Sequence, residues 1–139
     1  MKVICKENKA MNLDPKEIVT IQCSDKTEFP VIKELEYIVM GIVIYEDSNC
    51  IYYLVSDDYY PYWVPYQLFN VSDNQLPPYW FIKIFDKKTS PGGLFYLSGF
   101  HELCNNAGYH DALVERESWA LNIYFKRKHE IKEWHLEKW

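Results

Sequence analysis

The stretch from Glu36 to Val71 constrains the chain more than any other. It opens with a nearly unbroken apolar run, Tyr37-Ile38-Val39-Met40-Gly41-Ile42-Val43-Ile44-Tyr45. Ile51-Tyr52-Tyr53-Leu54-Val55 and Tyr62-Trp63-Val64 follow, separated by Glu46-Asp47-Ser48-Asn49 and by Asp57-Asp58, and Leu68-Phe69-Asn70-Val71 closes the stretch. β-Branched and aromatic side chains fit a pleated, half-buried surface. Short apolar runs broken by Asp, Ser and Asn read as antiparallel strands joined by tight turns. The first run is apolar on both parities, which predicts a strand covered on both faces. Gly41 in its middle predicts a bulge or bend, and a strand bent there can belong to two sheets. Pro61 and Pro65 place the Tyr62-Trp63-Val64 strand at a sheet edge, since proline gives no amide to a ladder.

Strands are also expected at Lys2–Lys6, at Ile18–Cys23, at Trp80–Phe85 and at Leu94–Leu97. The polar run of residues 86–93 forms a hairpin loop between the last two. Asp14-Pro15 reads as a turn. From Ser98 the pattern becomes helical. Ser98 is a candidate cap for a short helix reaching Asn105, and Gly108 suits a left-handed helix end. Residues Tyr109–Arg116 read as a connector. Ser118 caps a last helix with an apolar stripe of Ala120, Ile123, Tyr124, Ile131 and Trp134. Lys126, Lys128, Lys132 and Glu133 fall on or near its wet side, and fraying is expected beyond His129. The chain of 139 residues therefore reads as one α+β domain. Residues 1–30 supply strands and loop, 31–98 the β unit, and 99–139 the helical part.

Charge and cysteine content narrow the function. The net charge is −5, and Lys126-Arg127-Lys128 is the only basic cluster. Nucleic-acid binders carry a basic face, so this balance speaks against DNA or RNA and favours a basic protein partner. No apolar run is long enough to span a bilayer, and the first residues lack the apolar core of a secretion signal. Cys5, Cys23, Cys50 and Cys104 include no Cys-x-x-Cys pair and read as reduced packing groups of a cytoplasmic protein. Of the twelve tyrosines and five tryptophans, most are expected to fill the core of a small barrel and the remainder to sit on a rim that contacts a partner.

Catalytic and metal motifs are weak. His101, Cys104 and His110 lie close in sequence, and the first two share a helix face. Zinc wants three or four such ligands with supporting hydrogen bonds, and no fourth is evident. The plainer reading is a solvent-facing His101 and an inward Cys104. His129-Glu130 begins a zincin motif, but Glu133 stands where the second histidine belongs. Ser90-Pro91-Gly92-Gly93 lacks the phosphate-loop pattern and reads as a turn. Asp57-Asp58 beside Tyr59-Tyr60 forms a poor catalytic pair, because adjacent residues point apart. The plainer reading is a solvated turn; an exposed acidic and aromatic loop on a rigid scaffold also suits recognition. No nucleophile and base are marked by a motif, so no enzyme and no cofactor are expected.

One pattern is familiar as a whole. Tyr37-x-Val39-x-Gly41-Ile42 is followed by Tyr53-Leu54-Val55-x-Asp57-Asp58, by Pro61-x-Trp63-x-Pro65-x-x-Leu68-Phe69-x-Val71-x-Asp73, and by Leu76-Pro77 and Trp80. Between Glu36 and about Lys128 the chain resembles small, poorly characterised bacterial proteins with an SH3-like β-barrel. These are often immunity proteins of polymorphic toxin and contact-dependent inhibition systems. The resemblance implies a small antiparallel SH3-like barrel followed by helices. It also implies a role in binding and blocking a cognate toxin. It carries over no binding residue, since such pairs diverge at their contact surfaces. From the residues themselves, the candidate contacts are Glu46, Asp47, Asp57, Asp58, Tyr59, Tyr60 and Tyr62. The alternatives are a small metal-binding or enzymatic protein using His101, Cys104 and His110, and an SH3-like nucleic-acid-binding module.

Overall fold

Two sheets and a helical layer are threaded by the apolar run that bends before Gly41. The computed structural model describes residues 1–20, 23–46, 50–86 and 93–137. In chain order the elements are β1 (Lys2–Cys5), α1 (Pro15–Thr20), β2 (Glu36–Ile38), β3 (Gly41–Tyr45), β4 (Cys50–Ser56) and β5 (Pro61–Pro65). They continue with β6 (Phe69–Asp73), β7 (Phe81–Ile84), β8 (Leu94–Gly99), α2 (His101–Asn105), α3 (Tyr109–Val114) and α4 (Ser118–Glu137). Short 3-10 turns occupy Ala10–Asn12 and Tyr66–Leu68. The described strands pair antiparallel in two sheets, ordered β2-β1-β6 and β5-β4-β3-β8-β7. The architecture is α+β, as the sequence predicts, but the described strands do not close into a barrel.

The long apolar run changes sheets at its centre. The Val39 amide donates to the Met1 carbonyl at 3.1 Å, and the Met40 amide donates to the Leu54 carbonyl at 2.8 Å. One residue thus bonds toward the small sheet and the next toward the large one. β5 lies at an edge, as its two prolines require.

The five-stranded sheet is the middle layer. Leu54 on β4 is buried with Met40, Val43, Leu97, Phe100, Leu103, Tyr109 and Tyr124 against the helices. Its neighbours Tyr53 and Val55 point the other way, into a core with Val3, Tyr37, Val64, Leu68 and Phe69. This alternation is the period-two geometry of a strand buried on both faces. Each fully buried side chain of this kind contributes roughly 1.5–3 kcal/mol.

Four local expectations are corrected. The strand expected over Ile18–Cys23 is partly helix α1, with residues 21 and 22 outside the described set. Asp14 is its cap: its Oδ1 accepts the Lys16 amide at 2.8 Å, and its own amide donates to the Glu17 carboxylate at 3.2 Å. This reciprocal capping, with Pro15 in the first turn, outweighs the β preference of Ile18 and Val19. Ser98 is not a cap but a buried residue of β8, and α2 starts only after Phe100. The expected connector at Tyr109–Arg116 is helix over Tyr109–Val114, entered through left-handed Gly108. Finally, α4 continues to Glu137 without a break at His129, because Ile131 and His135 are buried beneath its last turns.

Candidate protein-binding surface

The β4–β5 turn is exposed yet tightly held. Asp57 Oδ1 accepts the backbone amides of Tyr59 and Tyr60, both at 2.7 Å. A side chain that bonds the backbone two and three residues on fixes the turn by itself. Asp57, Asp58 and Tyr60 are exposed, and Tyr59 stands furthest out at 74% exposure. Tyr62 is half-buried on the edge strand and packs against the inter-sheet core.

A second element clamps the turn from outside. The Arg116 guanidinium lies 4.0 Å from the Tyr60 ring centroid and 5.7 Å from that of Tyr62. Arg116 has φ of 59°, a left-handed conformation that ends α3. There its amide donates to the Leu113 carbonyl at 3.1 Å, and the Glu117 amide donates to that of Ala112 at 2.9 Å. Left-handed helix ends usually recruit glycine. Here an arginine takes the position and reaches two tyrosines from it.

Beneath the turn lies a groove of about 610 Å³ between the 30–38 segment, the turn itself and α4. Lys128 reaches into it from α4 and donates to Ser56 Oγ at 2.8 Å. Burial lowers the Lys128 pKa, while the charges of Asp58 and Asp57 act in the opposite sense. Lys128 is therefore not on the wet side of its helix. It follows Tyr124 by four residues and so continues the buried stripe of Ala120, Tyr124 and Ile131. The groove carries Glu36, Asp57 and Asp58 against Lys2, Lys128 and Lys132. The acidity of the turn is thus largely balanced within the chain, and Tyr59 is its most prominent feature.

The sequence candidates do not all meet. Asp57, Asp58, Tyr59, Tyr60 and Tyr62 form one surface. Glu46 is half-buried at the other end of β4, the seven-residue strand Cys50–Ser56, where its amide donates to the Gly93 carbonyl at 3.0 Å. Six residue steps at roughly 3.4 Å each put it about 20 Å from the turn. Asp47 lies outside the described residues. Sequence reasoning missed Arg116, Ser56 and Lys128. For Lys128 the helical spacing was a usable signal; for Arg116 no local signal exists.

His101, Cys104 and His110 go separate ways. The Cys104 thiol is aimed at the carbonyls of Phe81, Gly99 and Leu97 at 3.6, 3.8 and 4.0 Å. Burial pushes its pKa up to about 11, which keeps it a protonated thiol. His110 Nε2 accepts the Trp63 indole N–H at 3.0 Å, and burial lowers the His110 pKa. His101 packs edge-on against Phe81. Among the described residues no three metal-ligating side chains converge. Nor is any helix among them long and apolar enough to cross a membrane. No family model matches the chain, and no curated protein or solved structure is significantly similar to it.

Proposed function

We propose that this is a non-enzymatic protein-binding module, and that it acts in the cytoplasm as an immunity protein blocking a cognate toxin domain. The observation that carries the reading is Tyr59, 74% exposed at the tip of a turn that Asp57 fixes from within. A large aromatic ring on an already ordered turn loses little freedom on binding, and rings of this kind are common anchors of interfaces. Arg116 adds to the order by stacking on Tyr60. Occlusion is the mechanism: Tyr59 enters a cleft of the toxin while Asp58 and Tyr62 contact its basic rim.

The strand pairing supports an SH3-like origin for this platform. β1 pairs with both β2 and β6, the β2–β3 run changes sheets, and the 3-10 turn Tyr66–Leu68 precedes β6. An SH3-type barrel uses such a turn before its last strand. The β7–β8 hairpin and the helices then extend that platform.

Co-expression with the product of the adjacent gene tests the proposal. Growth should be rescued, and the two proteins should co-elute as one complex. Tyr59→Ala should abolish rescue while leaving the thermal midpoint unchanged, and the near-isosteric Asp58→Asn should weaken it. Absence of any complex with the wild-type chain, or full rescue by both variants, would overturn it.

A further inference from the structure

We infer that the free edge of β7 is a self-association surface, on which a second copy of this chain adds its own β7 antiparallel, with Ile82 facing Ile82 of the partner subunit. The two sheets present four edge strands, β2, β6, β5 and β7. Unprotected edges pair with other chains, and proteins blunt them with prolines, polar residues or brevity. β5 is bracketed by Pro61 and Pro65, β2 has three residues and an exposed Glu36, and β6 shows Asn70, Ser72 and Asp73. β7 has no proline, and its protection is limited to a four-residue length and a single charge. All four of its residues are exposed, with Ile82 at 63% and Ile84 at 67%. Its one charge, Lys83, lies 5.1 Å from the ring of Phe85, the residue that follows the strand.

The ladder shows which backbone groups are free. The Phe85 amide donates to the Phe95 carbonyl at 2.9 Å, in register with Lys83↔Leu97 and Phe81↔Gly99. Odd residues therefore bond β8, and the N–H and C=O groups of Ile82 and Ile84 point away from the sheet. An extended strand is the occupant that satisfies such a row.

Symmetry selects the register. Pairing about Lys83 would set two ammonium groups directly opposite, and like charges opposed in this way are destabilising; pairing about Ile84 would set the apolar Ile82 against the carboxylate of Asp86 of the partner subunit. Pairing about Ile82 avoids both. It lets the two Ile82 residues exchange both backbone bonds, and it places Ile84 beside Trp80 of the partner subunit. It also sets Lys83 beside the Phe81 ring of the partner subunit, a favourable cation–π match. On the face away from the helices, Ile51, Ile44, Tyr96 and Ile84 lie in one cross-strand row. The pairing continues that apolar row into the second copy, as an isologous two-fold contact requires.

Sedimentation of the purified full chain over a range of concentrations should show a reversible dimer, and Ile82→Lys should weaken it about tenfold or more, or 1.4 kcal/mol or more. In a Cys23→Ser background, oxidised Ile82→Cys should form a covalent dimer, because an exchanged pair holds its Cα atoms about 5.5 Å apart. Ile84→Cys, facing Trp80 of the partner subunit, should not. A monomer at the highest soluble concentration would overturn the inference. So would a dimer indifferent to Ile82→Lys, or one cross-linked by Ile84→Cys and not by Ile82→Cys. If Ile82→Lys fails to fold, the two cysteine variants decide. An edge that instead takes up a strand of a different protein would leave this chain monomeric, which is the overturning result.

Discussion

Arg116 holds its tyrosines from a backbone conformation that side chains avoid. Its φ of 59° costs roughly 1–2 kcal/mol for a residue other than glycine. Stacking on Tyr60 at 4.0 Å returns about 0.5–1 kcal/mol at an exposed site. The two contributions are separable by substitution. Arg116→Ala keeps the backbone strain and loses the ring contact, so it should lower stability by about 1 kcal/mol. Arg116→Gly also loses the contact but relieves the strain, so its urea midpoint should lie above that of the alanine variant. The reverse order would mean that the clamp is not what stabilises this helix end. Glu102 presents the opposite case, a charge taken out of water. Its carboxylate accepts Arg127 Nε at 2.6 Å and Nη2 at 2.8 Å and is 8% exposed. The hydrogen bonds from Arg127 hold the Glu102 pKa below the usual carboxylate value, against the effect of burial. A group with a depressed folded pKa adds stability above its unfolded pKa, about 4.3 for Glu, and that stability is lost as pH falls through the folded value. Glu102→Gln should therefore cost roughly 2–3 kcal/mol at pH 7, since breaking a buried pair strands a charge. The gap to wild type should narrow below about pH 4. Urea titrations at neutral and acid pH check both the size and the sign; a gap independent of pH would assign the loss to packing.

α2 docks on the sheet through two facing glycines. Gly41 and Gly99 are register partners of β3 and β8. A Cβ at Gly41 would come 2.7 Å from Leu103 Cδ2, and one at Gly99 would come 2.7 Å from the Met40 carbonyl oxygen, with φ already at 153°. The Met40 oxygen is backbone and cannot step aside. Gly99→Ala should thus cost about 2 kcal/mol or more by combining overpacking with backbone strain. Gly108→Ala meets nothing within 4 Å and suffers only its φ of 80°, so it should cost about 1 kcal/mol. Equal losses in thermal melts would contradict this close approach. These elements also show what the sequence discloses. The β strands from Tyr37 to Val71 were legible because apolar runs and Asp- or Pro-rich turns alternate there without conflict. The bend of the long run was legible from Gly41, although the glycine serves chiefly to admit Leu103. Helix α1 was not legible by residue type, because two β-branched residues outvote a cap that works through Asp14 and Glu17. Ser98 looks like a cap in sequence, yet the β8 ladder claims it. The exposed turn of the candidate site was legible from Asp57-Asp58-Tyr59-Tyr60. Its clamp was not, because Arg116 and Tyr60 stand 56 residues apart in the chain and no local pattern reports such a contact.

At the scale of the whole molecule, the middle sheet makes the two cores one cooperative unit. Successive residues of β4 serve opposite cores: Leu54 packs against the helices, and Tyr53 and Val55 pack against the small sheet. β4 cannot leave one core and keep its place in the other. The β2–β3 run adds a covalent link, since its amides at Val39 and Met40 bond in different sheets. Glu102 and Arg127 fasten α4 to α2, and α2 to the sheet through Leu103. A chain built this way should unfold in one step, despite having two separate groups of buried side chains. Leu54→Ala removes three side-chain carbons from the helical core alone, yet its effect must reach every probe. It should lower stability by about 3 kcal/mol, the ordinary cost of such a cavity. Val55→Ala, on the opposite face, should lower it by about 1–2 kcal/mol on the same scale. In both variants tryptophan fluorescence and far-ultraviolet circular dichroism should report one shared urea midpoint. Trp63 lies on the helix side of the sheet and Trp80 on the other. Retaining each alone, by changing the remaining tryptophans to phenylalanine, gives a probe of each core. If Leu54→Ala moved the Trp63 transition and left that of Trp80 in place, the cores would be independent, and the shared sheet would be a scaffold without being a coupling.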